Sequence, residues 1–232
     1  MLIPMAAILS GGGAVALEVV YQASTTATNY GGTITMPTLA IGDIIIVSQA
    51  AVGSSNPSTA YGTDFTGIKV DNGSFTPAKA TRHYKICESY KVAVSGDSGA
   101  GITGFMNDNG EAATVIVYRP TVSGVTVTPV GATTTKSTGN PASDTISVSS
   151  SAEITIAVSS AKVFDESSVS TPTMTFTPTE DISVSRIDNG TAACGVLTKA
   201  LVQTPTATDV TADQGDDEYQ NVHTSYYLEI TV

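Results

Sequence analysis

Ile154-Thr155-Ile156-Ala157-Val158-Ser159 sets Ile154, Ile156 and Val158 on one side of an extended chain and Thr155, Ala157 and Ser159 on the other. Successive side chains of a strand point to opposite faces, so this period of two predicts a half-buried strand with one face on a core. Leu228, Ile230 and Val232 alternate with Tyr227, Glu229 and Thr231 in the same way. Gly42-Asp43-Ile44-Ile45-Ile46-Val47 has a different pattern, apolar at every position after the turn pair. Such a run suits a central strand covered on both sides.

Turn chemistry spaces these segments. Asn-Gly occurs three times, at Asn72-Gly73, Asn109-Gly110 and Asn189-Gly190. Both residues tolerate positive φ, so each pair predicts a two-residue hairpin or a short loop between antiparallel neighbours. Further strands are expected at 15–21, 32–36, 82–94, 112–118, 124–129, 172–177, 182–187 and 194–203. Short strands with frequent turns and no long segment of period 3.6 predict an all-β fold, an antiparallel β-sandwich of jelly-roll-like type. Residues 131–144 are expected to be a linker or a long sandwich loop, 53–62 an exposed loop, and 162–168 a loop following a strand. Neither of the first two repeats elsewhere at a fixed period, which argues against a solenoid or propeller. The organisation expected is an arm over 1–14 and a single sandwich domain over 15–232.

Thr is the commonest residue, and only 13% of the 232 residues are charged. A lone soluble domain usually spends about 25–35% of its surface positions on charged side chains. Hydroxyl-rich faces of this kind are expected to be covered in part by neighbouring molecules. The net charge of −11 repels phosphate backbones and anionic lipid surfaces, so no nucleic-acid partner is expected. Cys87 and Cys194 both stand in apolar, strand-like settings and are expected as buried free thiols, the alternative being a disulfide formed in an oxidising compartment.

Leu2, Ile3, Met5, Ile8 and Leu9 make the N-terminus apolar. No Lys or Arg precedes this stretch, so a secretion signal is not expected. The run is shorter than the roughly 20 residues of a spanning helix, and Pro4 with Gly11-Gly12-Gly13 would break one, so membrane insertion is not expected either. Two readings remain, an arm that docks on another chain and a first element packed on its own domain.

Motifs for catalysis fail on their partners. Gly96-Asp97-Ser98-Gly99 matches the serine tetrapeptide of trypsin-like proteases, but the only bases available are His83 and His223, and His83 lies in Arg82-His83-Tyr84, close before Ser98. A triad needs a His and an orienting Asp brought to the serine, so the tetrapeptide is expected to be a turn. Asp165 and Glu166 are the candidate acid pair for glycoside cleavage, in a chain with no Trp and few aromatics for sugar stacking. Asp213, Asp216, Asp217 and Glu218 offer hard oxygens of the kind Ca²⁺ prefers, without the alternate-position spacing of an EF-hand loop. A solvated acidic loop is the expectation there, and neither a metal nor a cofactor is required. Asn56 and Tyr61, in a Ser/Gly/Asn-rich loop of paratope-like composition, are the candidate ligand-binding residues.

Several segments in order resemble a recurring β-rich module of tailed-bacteriophage virion proteins. They are Gly42-Asp43-Ile44-Ile45-Ile46-Val47, Tyr90-Lys91-Val92-Ala93 leading to Gly96-Asp97, Ile102-Thr103-Gly104-Phe105, Ala113-Thr114-Val115-Ile116-Val117-Tyr118-Arg119, and Ser225-Tyr226-Tyr227-Leu228-Glu229-Ile230. The resemblance covers about residues 30–232 and contains no catalytic signature; the apolar N-terminus falls outside it. It implies a non-enzymatic structural subunit of a tail, fibre, baseplate or capsid surface, made in the host cytoplasm and carried in the virion. Its implied partners are other virion proteins and further copies of itself. A carbohydrate- or receptor-binding module at a fibre tip and a capsid decoration protein are the alternatives, the former with a host surface glycan as ligand.

Overall fold

The computed structural model describes residues 15–26, 34–55, 57, 64–77, 79–102, 110–139, 142–147, 152–190, 192–204, 209–216 and 218–232. The fold is all-β, and the described residues contain no helix. In the first half of the chain the strands are β1 (Leu17–Thr26), β2 (Ile34–Thr35), β3 (Ile44–Gly53), β4 (Thr66–Phe75), β5 (Arg82–Val92), β6 (Gly101–Ile102) and β7 (Gly110–Pro120). The second half contributes β8 (Thr126–Ser137), β9 (Ser143–Ile146), β10 (Ile154–Asp165), β11 (Met174–Thr177), β12 (Ile182–Asp188), β13 (Ala193–Gln203), β14 (Val210–Gln214) and β15 (Gln220–Thr231).

Two five-stranded antiparallel sheets form the sandwich, with orders β1-β7-β3-β5-β4 and β12-β13-β10-β15-β8. Each half of the chain builds one of them. Numbered within its half, each sheet runs first, fifth, second, fourth, third long strand, so the two halves repeat one connectivity. The repetition extends to the short strands. β2 pairs with β6 in the first half as β9 pairs with β14 in the second, where β11 adds an extra strand. β1 lies over β12 and β4 over β8, so the first strand of each half covers the third of the other.

The antiparallel sandwich expected from the sequence is observed, and this winding does not itself show the jelly-roll type. Successive long strands of each half stay within one sheet, with only β4–β5 and β12–β13 as direct neighbours and the rest joined by crossovers. Traces of the repeat exist in the sequence. Lys69-Val70-Asp71-Asn72-Gly73-Ser74 is echoed by Arg186-Ile187-Asp188-Asn189-Gly190-Thr191, and Asp43-Ile44-Ile45-Ile46 by Glu153-Ile154-Thr155-Ile156. The Asp-Asn-Gly echo sits at different levels of its hairpin, with Asp71 opposite Ile86 and Asp188 opposite Cys194.

The apolar core between the sheets has two parts. Ile44, Ile46, Ile116 and Tyr118 meet Ile154, Ile156, Val158, Leu228 and Ile230 at one end. Ala50, Val52, Tyr84 and Ile86 meet Phe164, Cys194, Val196 and Val222 at the other. Burying a Val, Leu, Ile or Phe side chain contributes about 1.5–3 kcal/mol, so these faces dominate cohesion. The central position expected for Ile44–Val47 holds, since β3 is the middle strand of its sheet and is buried throughout.

Outer layers overturn the half-buried reading of β10 and β15. Ala157, Ala161 and Tyr227 on their outer side pack against Met174, Phe176, Val210 and Ala212 of the three-stranded sheet β11-β14-β9. Small and hydroxylated outward residues in the sequence mark a covered face here. Residues 131–144 are also not mainly a loop. β8 continues to Ser137 through a bulge opposite Ser225 and Tyr227, where Gly131 takes φ +65°, and β9 begins at Ser143. The expected loop at 162–168 begins only after Asp165, because Lys162 to Asp165 still pair within β10. Asn72-Gly73 lies inside β4 and forms no turn. A Cβ on Gly73 would stand 2.5 Å from the Tyr84 hydroxyl, so this glycine makes room for the ring lying across it. Asn189-Gly190 does fall between β12 and β13.

Candidate functional site

A belt of polar side chains crosses the sandwich between the two apolar parts of the core. Ser48 on β3, Glu88 on β5 and Thr114 on β7 face Ser160 and Lys162 on β10, Thr198 on β13 and Tyr226 on β15. Glu88 is its centre. Its Oε1 accepts hydrogen bonds from Lys162 Nζ and from Ser160 Oγ at 2.6 Å. Its Oε2 accepts from Ser48 Oγ at 2.6 Å and from Tyr226 Oη at 3.4 Å. Thr114 and Thr198 share a hydroxyl hydrogen bond of 2.7 Å beside it. Burial, and after it the charge of Glu88, hold the Tyr226 phenol well above its ordinary range. Both Glu88 and Lys162 have 0% exposed side chains, so no substrate reaches this carboxylate. The arrangement can fix the register of one sheet on the other. The lone charge of Lys162 inside Ala161-Lys162-Val163-Phe164 was the signal for it; Glu88, among Arg82, Lys85 and Lys91, gave none.

The two Asp-Asn-Gly copies each reach into the opposite half. Asp71 Oδ1 accepts from Lys136 Nζ of β8 at 2.6 Å, and Lys136 also donates to the Asn72 carbonyl at 3.2 Å while lying 5.7 Å from the centre of the Tyr84 ring. Asp188 Oδ2 accepts from the Glu111 main-chain N–H of β7 at 3.1 Å. Burial, and then the charge of Asp188, push the Glu111 carboxyl up to about 8. Asn189 Oδ1 takes the Val169 N–H at 2.8 Å. Asp71 and Asp188 thus clasp the halves at opposite borders of the sandwich.

An accessible feature lies at the end of the sandwich where β3 begins and β5 and β7 end. A groove of about 390 Å³ is lined by residues 40–43, 92–94 and 119–125. Its floor is fixed by Asp43, whose buried carboxylate accepts from Arg119 Nε at 2.8 Å, Arg119 Nη2 at 2.7 Å and the Ala40 N–H at 2.8 Å. The hydrogen bond to Asp43 raises the Arg119 guanidinium above its ordinary value. Ile41 and Val94 stand on the rim, 77% and 55% exposed, above partly buried Val122 and Val125. The described chain starts beside this groove, because Thr121 exchanges hydrogen bonds with Ala16.

The remaining sequence candidates divide clearly. Leu2, Ile3, Met5, Ile8 and Leu9 lie outside the described residues, as do Asn56, Tyr61 and Asp217. Asp213 is exposed on β14, Asp216 accepts the Thr173 N–H through both oxygens at 3.1 and 2.9 Å, and Glu218 Oε1 takes the Ser170 N–H at 2.8 Å. Asp216 and Glu218 tie down the chain before β11. Among the described residues no three His, Cys, Asp or Glu side chains are grouped to hold a metal. Ser98 is in the expected turn, its Oγ accepting the Leu39 N–H at 3.1 Å, while Asp97 binds Lys91 Nζ and the Val94 N–H, both at 2.7 Å. Asp165 ends β10 and caps the Glu166 N–H, and Glu166 faces Lys79 at 3.5 Å. Cys87 and Cys194 are buried free thiols, as the apolar settings led one to expect.

No protein-family model, curated protein or solved structure matches the chain.

Proposed function

We propose that the chain is a non-enzymatic structural subunit of a bacteriophage virion, tail, fibre or baseplate-associated, that works through contacts with other virion proteins and with copies of itself. The observation that carries this reading is the contrast between interior and exterior chemistry. The charged and hydroxyl groups around Glu88 and Lys162 are sealed between the sheets, whereas an apolar groove faces outward. The groove's lining contains no aromatic residue, which suits an aliphatic protein segment better than a sugar ring. Sheet edges add to it. β1, β4, β12 and β8 each pair on one side only within their sheets, and an unpaired strand edge is a template for another chain. The N-terminal segment, apolar at Leu2, Ile3, Met5, Ile8 and Leu9, serves in this reading as the arm that clasps a neighbour. The acidic balance keeps copies apart before assembly.

Imaging of particles carrying a C-terminal label, beside mass photometry of the purified chain, tests the reading. An oligomer and labelled particles are expected, with incorporation lost when residues 1–13 are deleted. A monomer absent from particles overturns it.

A further inference from the structure

Ile41 and Val94, large apolar side chains left mostly in solvent, stand on the rim of one groove at the end of the sandwich. Val92, Pro120, Val122 and Val125 extend its apolar wall. Among the described residues its only charged lining groups are Asp43 and Arg119, which bond to each other at 2.7 and 2.8 Å, so an incoming segment meets no free charge. The first described residues stand at the same border. Val15 belongs to the core cluster against which Val122 and Val125 pack, and Ala16 exchanges hydrogen bonds of 2.9 and 3.0 Å with Thr121, itself a lining residue. The stretch from Met1 to Leu17 carries no charged side chain, and Leu2, Ile3, Met5, Ile8 and Leu9 make it aliphatic. From Ala16 back to Leu9 an extended chain reaches at most about 25 Å. Gly11-Gly12-Gly13 lets that chain reverse, because glycine adopts φ of either sign.

We propose that this groove is the seat of the chain's own N-terminal segment, with the apolar side chains of residues 2–9 covering Ile41, Val94, Val122 and Val125. Tethering decides the occupant. A short flexible linker holds its ligand at an effective concentration on the order of millimolar, so the segment of the same chain fills the groove ahead of that of a second copy in micromolar protein. Apolar burial supplies the attraction, and the uncharged segment brings no group that needs a counter-charge. The inference goes beyond the assembly reading, since it describes the free subunit. An arm that clasps a neighbour must first leave its own groove, which keeps it in reserve until assembly.

The test is photo-crosslinking of the full chain with p-benzoylphenylalanine in place of Leu9, irradiated as a dilute equal mixture of isotope-labelled and unlabelled protein. Mass spectrometry of the digest should find adducts on residues 40–43, 92–94 or 119–125, each joining peptides of one isotopic kind. Ile41→Asp together with Val94→Asp, rim positions whose exposure spares the fold, should lower the adduct yield severalfold, whereas Val70→Asp on β4 should not. Adducts elsewhere, no adducts, or a yield that ignores the rim changes or falls equally with Val70→Asp overturn the seat. Mixed-isotope adducts in the groove overturn the own-chain occupant and leave an arm that clasps a neighbour. That failure is distinct from failure of the assembly reading, which particle labelling and deletion of residues 1–13 decide.

Discussion

Lys162 of the second sheet and Glu88 of the first form an ion pair that neither side chain exposes to solvent, one charge from each half of the chain. Removing one member leaves the other buried without its counter-charge. Lys162→Met is therefore expected to cost about 3–5 kcal/mol, and the double change Glu88→Gln, Lys162→Met to recover much of that loss. Chemical denaturation of the three variants measures both steps. Additive losses would show that the two residues do not depend on each other.

His223 on β15 gives the fold a titration of its own. Burial first, and then the charge of Lys162, lower its pKa from 6.5 to about 4, against a small opposing effect of the Ala142 main chain. A depressed histidine binds its proton more readily when unfolded. Its contribution is therefore complete above pH 6.5 and is lost as pH falls from 6.5 to about 4. The full loss should approach about 3 kcal/mol, at about 1.4 kcal/mol per pH unit. Denaturation midpoints across this window should fall steeply for the native chain and less steeply for His223→Gln. Equal slopes would show that other groups cause the acid sensitivity.

Gly110 opens β7 directly beneath the chain that enters β13. A Cβ there would stand 2.5 Å from the Ala192 carbonyl oxygen, a main-chain atom with little freedom to move. Gly110→Ala is expected to cost about 1–3 kcal/mol by forcing this contact apart. Faster hydrogen exchange confined to the starts of β7 and β13 would locate the damage; an unchanged melting temperature would refute the contact.

Cys87 and Cys194 should resist alkylation while the chain is folded. Burial, then the charges of Asp188 and Glu111, hold the Cys194 thiol well above its ordinary pKa, and its Sγ points at the Ala50 carbonyl 3.7 Å away. Iodoacetamide at neutral pH should label neither cysteine in native protein and both in denaturant, by intact mass. Rapid native labelling of Cys194 would contradict its enclosure.

The strands were legible because alternation and turn residues act locally. Ile44 to Val47 announced a central strand through its unbroken apolar run, and the structure places it in the middle of its sheet. Burial by a third layer was not legible. Ala157, Ala161 and Ser159 look like an exposed face until β11, β14 and β9 lie over them, and such non-local packing leaves no periodic mark. Asn72-Gly73 misled for a similar reason, since glycine serves both turns and close approaches and only the Tyr84 ring decides between them. Lys162 was readable as an odd charge in an apolar strand, whereas Glu88 stands among Arg82, Lys85 and Lys91 and does not stand out. Their partnership needed the fold. The repeat escaped because matching connectivity does not require matching side chains, and its Asp-Asn-Gly echo is short.

A homodimer that packs face to face must show the same outer surface on both sides. Carrying both halves in one chain removes that obligation. One side is roofed by the β2-β6 pair and the other by the three strands β11, β14 and β9. The molecule consequently has a front and a back, and copies added one upon another through those unlike surfaces would all point the same way.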